Sequence, residues 1–164
     1  MMARNTLRGA ERHAPLSKRN LTRLYLEDET AWLELMSQLI RDRRFDEVDY
    51  KNLREYLSDM ALRDRREVLS RLTTLLAHRL KWDYQPRKRS KSWVLTMLEQ
   101  QHELEDMFQS KTLRNHGQDV LPKAYTRAVR LAASETNLAV DKFPQECPYT
   151  LDDLLSTEWK PQHD

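Results

Sequence analysis

Only two of the 164 residues are glycine, Gly9 and Gly117. Tight β-hairpins and the phosphate loops of P-loop or Rossmann proteins depend on glycine, because their backbones adopt conformations that other residues resist. The sequence therefore argues against a hairpin-rich β fold and against glycine-rich nucleotide-binding loops. The single cysteine, Cys147, also excludes an intrachain disulfide and a cysteine-based zinc site.

Apolar residues recur mostly at helical spacing between the two ends of the chain. Asp28 and Asp49 are suitable N-caps for the first two helices, and Pro86 ends the third, since the residue before proline avoids the α region. The stretch 50–84 is either one kinked helix or two helices broken near Leu62, and we favour the break. The first three predicted helices cover about 29–43, 50–60 and 64–84. The fourth is capped by Ser90 or Ser92 and carries Trp93 to Phe108. The fifth has Pro122 in its first turn and ends near Asn137, and a short last helix runs from Thr150 to Ser156.

These elements predict an all-α, single-domain helical bundle of five or six helices. An extended strap, Phe143–Tyr149, and a short final helix follow the bundle. We expect a basic, mobile N-terminal arm over residues 1–24, one helical domain over 25–161, and a tail over 162–164. The arm carries six lysines and arginines up to Arg23 against Glu11 alone.

Charge is unevenly distributed although the net charge is only +2. Residues 63–91 hold ten lysines and arginines against three acids, whereas residues 141–164 hold six acids against two lysines. Any affinity for nucleic acid must therefore come from a local patch. No apolar run is long enough for a membrane span, and no apolar segment of a secretory signal follows the first cations. We expect a cytoplasmic protein that makes no membrane contact and uses no cofactor.

Four segments carry a resemblance to a known family. They occur in matching order over roughly residues 25–161, and they are Phe45–Asp49 with Asn52 and Leu53, His78–Pro86 with Arg89–Trp93, Ala124 and Tyr125 with Glu135 and Thr136, and Phe143–Pro144 with Cys147–Leu151. In these segments the chain resembles the bacterial family called domain of unknown function 29. The resemblance implies a compact helical bacterial protein, and it implies no activity.

The chain departs from the family pattern at two places. Tyr56 and Ser58 stand where the family usually has further acids, which weakens an acidic site there. Asn137 stands where the family usually has glycine after Glu135 and Thr136. Asparagine also tolerates the left-handed conformation at a helix end, so the helix can still stop at this position.

A basic face is the first candidate site. Arg71, Thr74, His78 and Lys81 follow one another at steps of three or four residues and share one side of a helix. Cations beside indole rings suit phosphate binding with base stacking. The alternative is a solvated face whose tryptophans anchor a helical hairpin between Lys81 and Trp93, with Tyr84 and Gln85 at the turn. The candidate binding residues are Arg71, His78, Lys81, Trp82, Arg87, Arg89 and Trp93.

Three other groups of residues are weaker candidates. The acids Asp46, Asp49, Glu55 and Asp59 could hold Mg²⁺, but caps and turns also favour aspartate. Glu99 and His102 have the spacing used in di-iron bundles, which require a second copy that the chain lacks. Cys147 requires a cationic or histidine neighbour to act as a nucleophile, and we expect it to be largely buried in the strap.

The function stays unknown at this level, with two classes open. We favour a non-enzymatic binding module whose basic face, near His78–Lys91, takes nucleic acid or another anionic partner, with no metal site. The alternative is a metal-dependent phosphodiesterase or nuclease-like enzyme. The enzyme requires three or more carboxylate or imidazole groups that converge in one pocket, and scattered acids leave only the binding module.

Overall fold

A computed structural model describes residues 17–156, and this part of the chain contains six α-helices, three short 3-10 turns and no strand. The all-α prediction is confirmed. The 3-10 turns are Phe45–Glu47, Pro86–Lys88 and Val140–Lys142. The helices are α1 (Lys18–Glu27), α2 (Glu29–Arg41), α3 (Tyr50–Tyr84), α4 (Lys91–Met107), α5 (Lys111–Thr136) and α6 (Leu151–Leu155).

The helix ends follow the capping residues of the sequence. Asp28 Oδ1 accepts a hydrogen bond from the Ala31 amide at 3.0 Å and caps α2. Ser90, rather than Ser92, caps α4. Thr150 forms a capping box with Asp153 at the start of α6, where each side chain accepts from the other residue's backbone amide. Such caps satisfy amides that have no partner inside the helix.

Helix α1 was not predicted from the sequence. Residues 18–24 were assigned to the arm, but they form most of this helix. Ser17 caps α1, and Leu21 is buried. Leu24 and Tyr25 pack against the same apolar cluster as Leu21. These three residues have the i, i+3, i+4 spacing of a helix, so the signal was present in the sequence and was missed. The arm's residues 1–16 and the C-terminal residues 157–164, with the predicted tail, lie outside the described residues.

Helix α3 is one continuous helix of 35 residues, so the expected break near Leu62 is wrong. The helix contains no glycine or proline. Residues 57–66 are all exposed, so apolar periodicity is lost there without any loss of helix. Leucine, arginine and methionine favour the helix by themselves, and this local preference carries α3 through the exposed stretch.

Pro122 lies well inside α5 and not in its first turn, which corrects the expected start of that helix. Proline has no amide hydrogen and removes one hydrogen bond from a helix interior. Buried residues lie on both sides of it, Gly117 before and Ala124 and Tyr125 after. Their packing keeps the segment helical despite the lost bond, which local sequence rules do not anticipate.

The chain divides into two compact units, with the boundary between Asp59 and Met60 inside α3. In the first unit, α1, α2 and the start of α3 enclose Trp32, Met36 and Leu39. The Trp32 ring lies 4.8 Å from the Tyr25 ring and 6.0 Å from the Tyr56 ring, measured between centroids. Each unit therefore has a hydrophobic core of its own, and the single domain over 25–161 stays a prediction.

In the second unit, the rest of α3 packs with α4, α5 and α6. Its core contains Leu72, Leu76 and Leu80 from α3, Met97 and Leu104 from α4, and Ala124, Ala128 and Ala132 from α5. The non-helical segment 143–150 follows and begins with the buried Phe143.

The Phe108 ring, which follows the end of α4, lies against the backbone of α5 at Gly117. A Cβ atom at this position would lie 2.7 Å from Cζ of the buried Phe108 ring. Only glycine fits at this distance without movement of the ring.

None of the helices within residues 17–156 has both the length and the apolar character needed to cross a membrane.

Asn137 ends α5 in the left-handed conformation, with φ of 57° and ψ of 23°. We expect Asn137→Ala to lower the free energy of unfolding by about 1 kcal/mol, because a Cβ without a polar group is strained there. Asn137→Gly should cost less than this or nothing. Urea denaturation measures both variants. Asn115→Ala, at an exposed position inside the same helix, is the control and should be neutral or slightly stabilising. Equal effects of the two alanine substitutions would contradict this explanation.

Candidate functional site

The turn between α3 and α4 gathers most of the candidate residues. Helix α3 ends at Tyr84, and Pro86–Lys88 form a 3-10 turn before Ser90 caps α4. The Gln85 amide donates to the Lys81 carbonyl at 2.9 Å. Its side-chain Nε2 donates to the Thr136 carbonyl at 3.3 Å, which ties the turn to the end of α5. The segment is therefore a short turn held against a neighbouring helix.

Arg89 closes this turn over Trp82. Arg89 Nε donates to the Trp82 carbonyl at 2.9 Å, and the guanidinium carbon lies 4.6 Å from the indole centroid. Trp82 is only 5% exposed. A guanidinium above an indole face is attracted by the ring's electrons. These contacts hold Arg89 in place and cover one face of the indole.

Lys81 is a buried cation with an internal partner. The residue is 4% exposed, and its Nζ lies 2.5 Å from Glu135 Oε2. The same Nζ lies 4.9 Å from the centroid of the Trp93 ring. A buried ammonium requires a counter-charge, because removal from water is costly. Glu135, whose side chain is 50% exposed, supplies this counter-charge from the surface, so little of the Lys81 charge is available to a ligand.

Arg71 precedes Lys81 on α3 and contacts residues of α4. Its Nη2 lies 2.7 Å from Glu67 Oε1 and 3.1 Å from Glu103 Oε2, and its Nη1 donates to Gln100 Oε1 at 3.3 Å. These contacts join α3 to α4. They also satisfy the guanidinium on two sides, which leaves it less able to hold a phosphate.

His78 is half-buried one helical turn before Lys81. Its Nδ1 lies 3.0 Å from the Thr74 carbonyl. Burial lowers the pKa of His78, and the nearby Lys81 charge acts in the same direction. The imidazole is therefore neutral at pH 7 and adds no positive charge to the face.

Arg87 and Lys88 remain open to solvent at the tip of the turn. With Tyr84, Gln85 and Pro86 they line a shallow cavity of about 280 Å³. Tyr84 is 39% exposed, and its ring meets the Phe143 ring edge-on with centroids 5.2 Å apart. Arg87, Lys88 and Lys91 are exposed, and within residues 17–156 no acid forms an ion pair with them. The Tyr84 ring and the Arg87 and Lys88 side chains thus share one small surface, which we call the turn pocket.

The predicted residues therefore fall into distinct places. Trp82 with Arg89, and Lys81 with Trp93, form two stacked pairs under the turn. Arg87 lies on the turn pocket. Two contributors were missed. Glu135 lies 54 residues from Lys81, and no local pattern shows that pairing. Tyr84 was placed at the turn but not in the site, although its position before Gln85 and Pro86 was a usable signal.

Of the acidic candidates, Asp49 has a structural role. Asp49 accepts from the Asn52 amide at 3.4 Å and from Asn52 Nδ2 at 2.7 Å, as a cap of α3 does. His102 is exposed and lies 3.9 Å from Asp106. In the part of the chain that the structure describes, no three His, Cys, Asp or Glu side chains converge to hold a metal ion. The convergent ligands that a metal-dependent enzyme requires are thus not seen among these residues.

Cys147 is half-buried rather than largely buried as expected. Its Sγ donates to the Tyr149 carbonyl at 3.4 Å. Burial raises the pKa of the Cys147 thiol above its ordinary value, which disfavours the thiolate at neutral pH. Tyr149 in turn donates to Asp83 Oδ2 at 2.6 Å, and Arg79 pairs with the same carboxylate at 3.1 Å. The thiol lies in a segment that is fastened to α3, in an environment that makes it less reactive.

Comparison of the sequence with known protein families identifies the family of the chain. The sequence model of the family described as Domain of unknown function DUF29 matches residues 24–160. The chain belongs to this family. No curated protein and no solved structure matches it. The family's description assigns no activity, so a function must be argued from the geometry of the chain itself.

We expect Trp82→Ala to lower the free energy of unfolding by about 3–5 kcal/mol, because the side chain is buried in the core of the second unit. Trp93→Ala should cost less, since that indole is only half-buried. Thermal and urea unfolding measure both. Leu95→Ala, at a residue that is 56% exposed on α4, is the control and should change stability by less than about 0.5 kcal/mol. A Trp82→Ala protein that unfolds like the control would show that the indole does not support the turn.

The lowered pKa of His78 predicts a pH dependence of stability. The unfolded chain takes up a proton near the ordinary value of 6.5, whereas the folded protein does so only at lower pH. Stability should therefore be unaffected by this group above pH 6.5 and should decrease as the pH falls below it. His78→Gln should make the decrease between pH 7 and pH 5 shallower. His102→Gln, at an exposed position on α4, is the comparison. Identical slopes for wild type and His78→Gln would contradict the prediction.

Proposed function

We propose that the chain is a non-enzymatic binding module that takes single-stranded nucleic acid, or a similar polyanion, at the turn pocket. The observation that carries the proposal is the exposed Tyr84 ring beside Arg87 and Lys88 in one shallow cavity. Nucleic acid offers a base to the ring and phosphates to the cations. Proteins that bind single strands combine these two contacts.

The charges of the turn support this assignment. Arg87, Lys88 and Lys91 have no acid within ion-pair distance among the described residues, so their fields are not cancelled locally. Phosphate contacts of this kind release counterions, and affinity then falls as salt rises, with a slope of about 0.7 per phosphate for single strands. Three cations imply a small footprint and a salt slope of about 2.

Four of the remaining candidate residues hold the turn pocket in position without lining it. Lys81 with Glu135 and Trp93, and Arg89 with Trp82, fix the end of α3 against α4 and α5. A turn held in this way presents its tip with little loss of conformational entropy on binding. Arg71 and His78 take no part in ligand binding in this proposal, because Arg71 is ion-paired and the pKa of His78 is lowered.

Sequence selectivity should be low. The turn is neither a recognition helix nor a strand pair, and base edges are read by such elements in the grooves of duplex DNA. Stacking on one tyrosine accepts every base. A metal-dependent phosphodiesterase is the alternative class, and none of the described residues favours it. The bacterial cytoplasm stays our prediction for the location.

The test is a fluorescence anisotropy titration with labelled 12-nucleotide DNA and RNA at several salt concentrations. We expect Arg87→Ala/Lys88→Ala to weaken binding at low salt by about tenfold and to reduce the salt slope by about 1.4. Tyr84→Ala should weaken binding and leave the slope unchanged, since it removes stacking and no charge. Lys123→Ala/Arg127→Ala removes the same charge from an exposed part of α5 and should bind like wild type.

Two results would overturn the proposal. One is no binding by the wild-type protein at low salt. The other is an equal loss of affinity in the turn variant and the α5 control, which would show general attraction to a cationic protein rather than a site. Circular dichroism of each variant confirms that the helices are retained.

A further inference from the structure

A second cavity, of about 520 Å³, lies between α5 and the segment 140–145. It is nearly twice the size of the turn pocket and within the range of sites that bind small molecules. None of the residues that line it belongs to the turn pocket. We propose that this cavity binds a free α-amino acid with an apolar side chain.

Three apolar residues line the cavity, and we call this lining its floor. Val129 and Phe143 line it from buried positions, and Val140 lines it although it is 57% exposed. A single exposed valine is ordinary on a protein surface. Val140 differs because it lines the same cavity as two buried apolar residues, so the apolar lining continues out to solvent. An apolar ligand group would cover it and gain the free energy of removing this surface from water.

One wall is fixed by a hydrogen bond. The Tyr125 hydroxyl donates to the Pro144 carbonyl at 2.8 Å, and both residues line the cavity. Burial raises the pKa of Tyr125 to about 12, so the hydroxyl remains a hydrogen-bond donor at neutral pH. The segment that follows the 3-10 turn Val140–Lys142 is thereby attached to α5.

The rim carries one cation and one anion. Arg130 and Asp141 both line the cavity, both are exposed, and they do not form an ion pair with each other. Neither has a charged partner elsewhere among residues 17–156. A guanidinium is suited to a carboxylate, and a carboxylate to an ammonium group.

These charges select the class of ligand. A simple carboxylate would pair with Arg130 but would be repelled by Asp141, and a simple amine would meet the reverse situation. A zwitterion with an apolar group satisfies both charges and the floor at once. An apolar α-amino acid is the smallest common molecule of this description. The inference is independent of nucleic-acid binding, because it rests on α5 and the segment 140–145.

Isothermal titration calorimetry and two-dimensional NMR of the full chain test the proposal with L-leucine and L-phenylalanine. Two analogues probe the charges, 4-methylpentanoate without the ammonium group and isoamylamine without the carboxylate. Glycine lacks the apolar group. We expect leucine or phenylalanine to bind, with the largest amide shifts at Val129, Arg130 and Asp141. The three probes should each bind at least about tenfold more weakly.

Charge-neutral variants locate the site. Arg130→Gln and Asp141→Asn should each weaken binding of the amino acid by about tenfold. Arg127→Gln, an exposed arginine on the same helix that does not line the cavity, is the matched control and should bind normally. Asp141→Asn should in addition improve binding of 4-methylpentanoate, since the repulsive charge is gone.

The proposal is overturned if neither amino acid causes heat or amide shifts at millimolar concentration. It is equally overturned if shifts occur but Arg130→Gln and Arg127→Gln bind alike. The substituted side chains are all exposed, so we expect every variant to fold. Unchanged NMR signals of residues outside the cavity check this. Loss of nucleic-acid binding in the turn variant has no bearing on these outcomes.

Discussion

The Lys81 ammonium lies 2.5 Å from Glu135 at a position that is 4% exposed. A cation that deep in the protein must have its counter-charge nearby, so the end of α3 is required to meet the end of α5. The Trp93 ring beside the same ammonium brings in the start of α4. Three helices thus converge on one charge, and the turn that carries Arg87 and Lys88 projects from this junction. The proposed binding surface depends on a contact that itself touches no ligand.

Much of the fold could be predicted because its signals are local. Asp28, Ser90 and Thr150 accept hydrogen bonds from amides three residues away, so their residue types already indicate where helices begin. Asn137 ends α5 for an equally local reason, its left-handed backbone. Helix α3 could not be predicted as one element, because residues 57–66 lose the apolar pattern while keeping the helix. The start of α5 was predicted wrongly because proline usually occupies the first turn of a helix, whereas Pro122 lies in the interior of α5.

The candidate site was predicted less well than the fold. The sequence shows that Arg71, Lys81, Arg87 and Arg89 are cations near one another, but not which of them are already neutralised. That depends on partners such as Glu135 and Glu103, which lie on other helices and far away in the chain. An excess of positive charge in a segment therefore overstates what a ligand can reach. Tyr84, which has no charge, contributes more to the turn pocket than its sequence context suggested.

The close approach at Gly117 has a consequence for α5 itself. Glycine is a poor helix former, and alanine in its place would make the helix more stable as an isolated peptide by about 1 kcal/mol. In the protein the same methyl group would meet the Phe108 ring at 2.7 Å and force a buried side chain to move. The helix by itself and the folded chain thus place opposite demands on one position. Packing against Phe108 decides the residue at this position, because α5 exists only within the folded protein and does not have to be stable as an isolated helix.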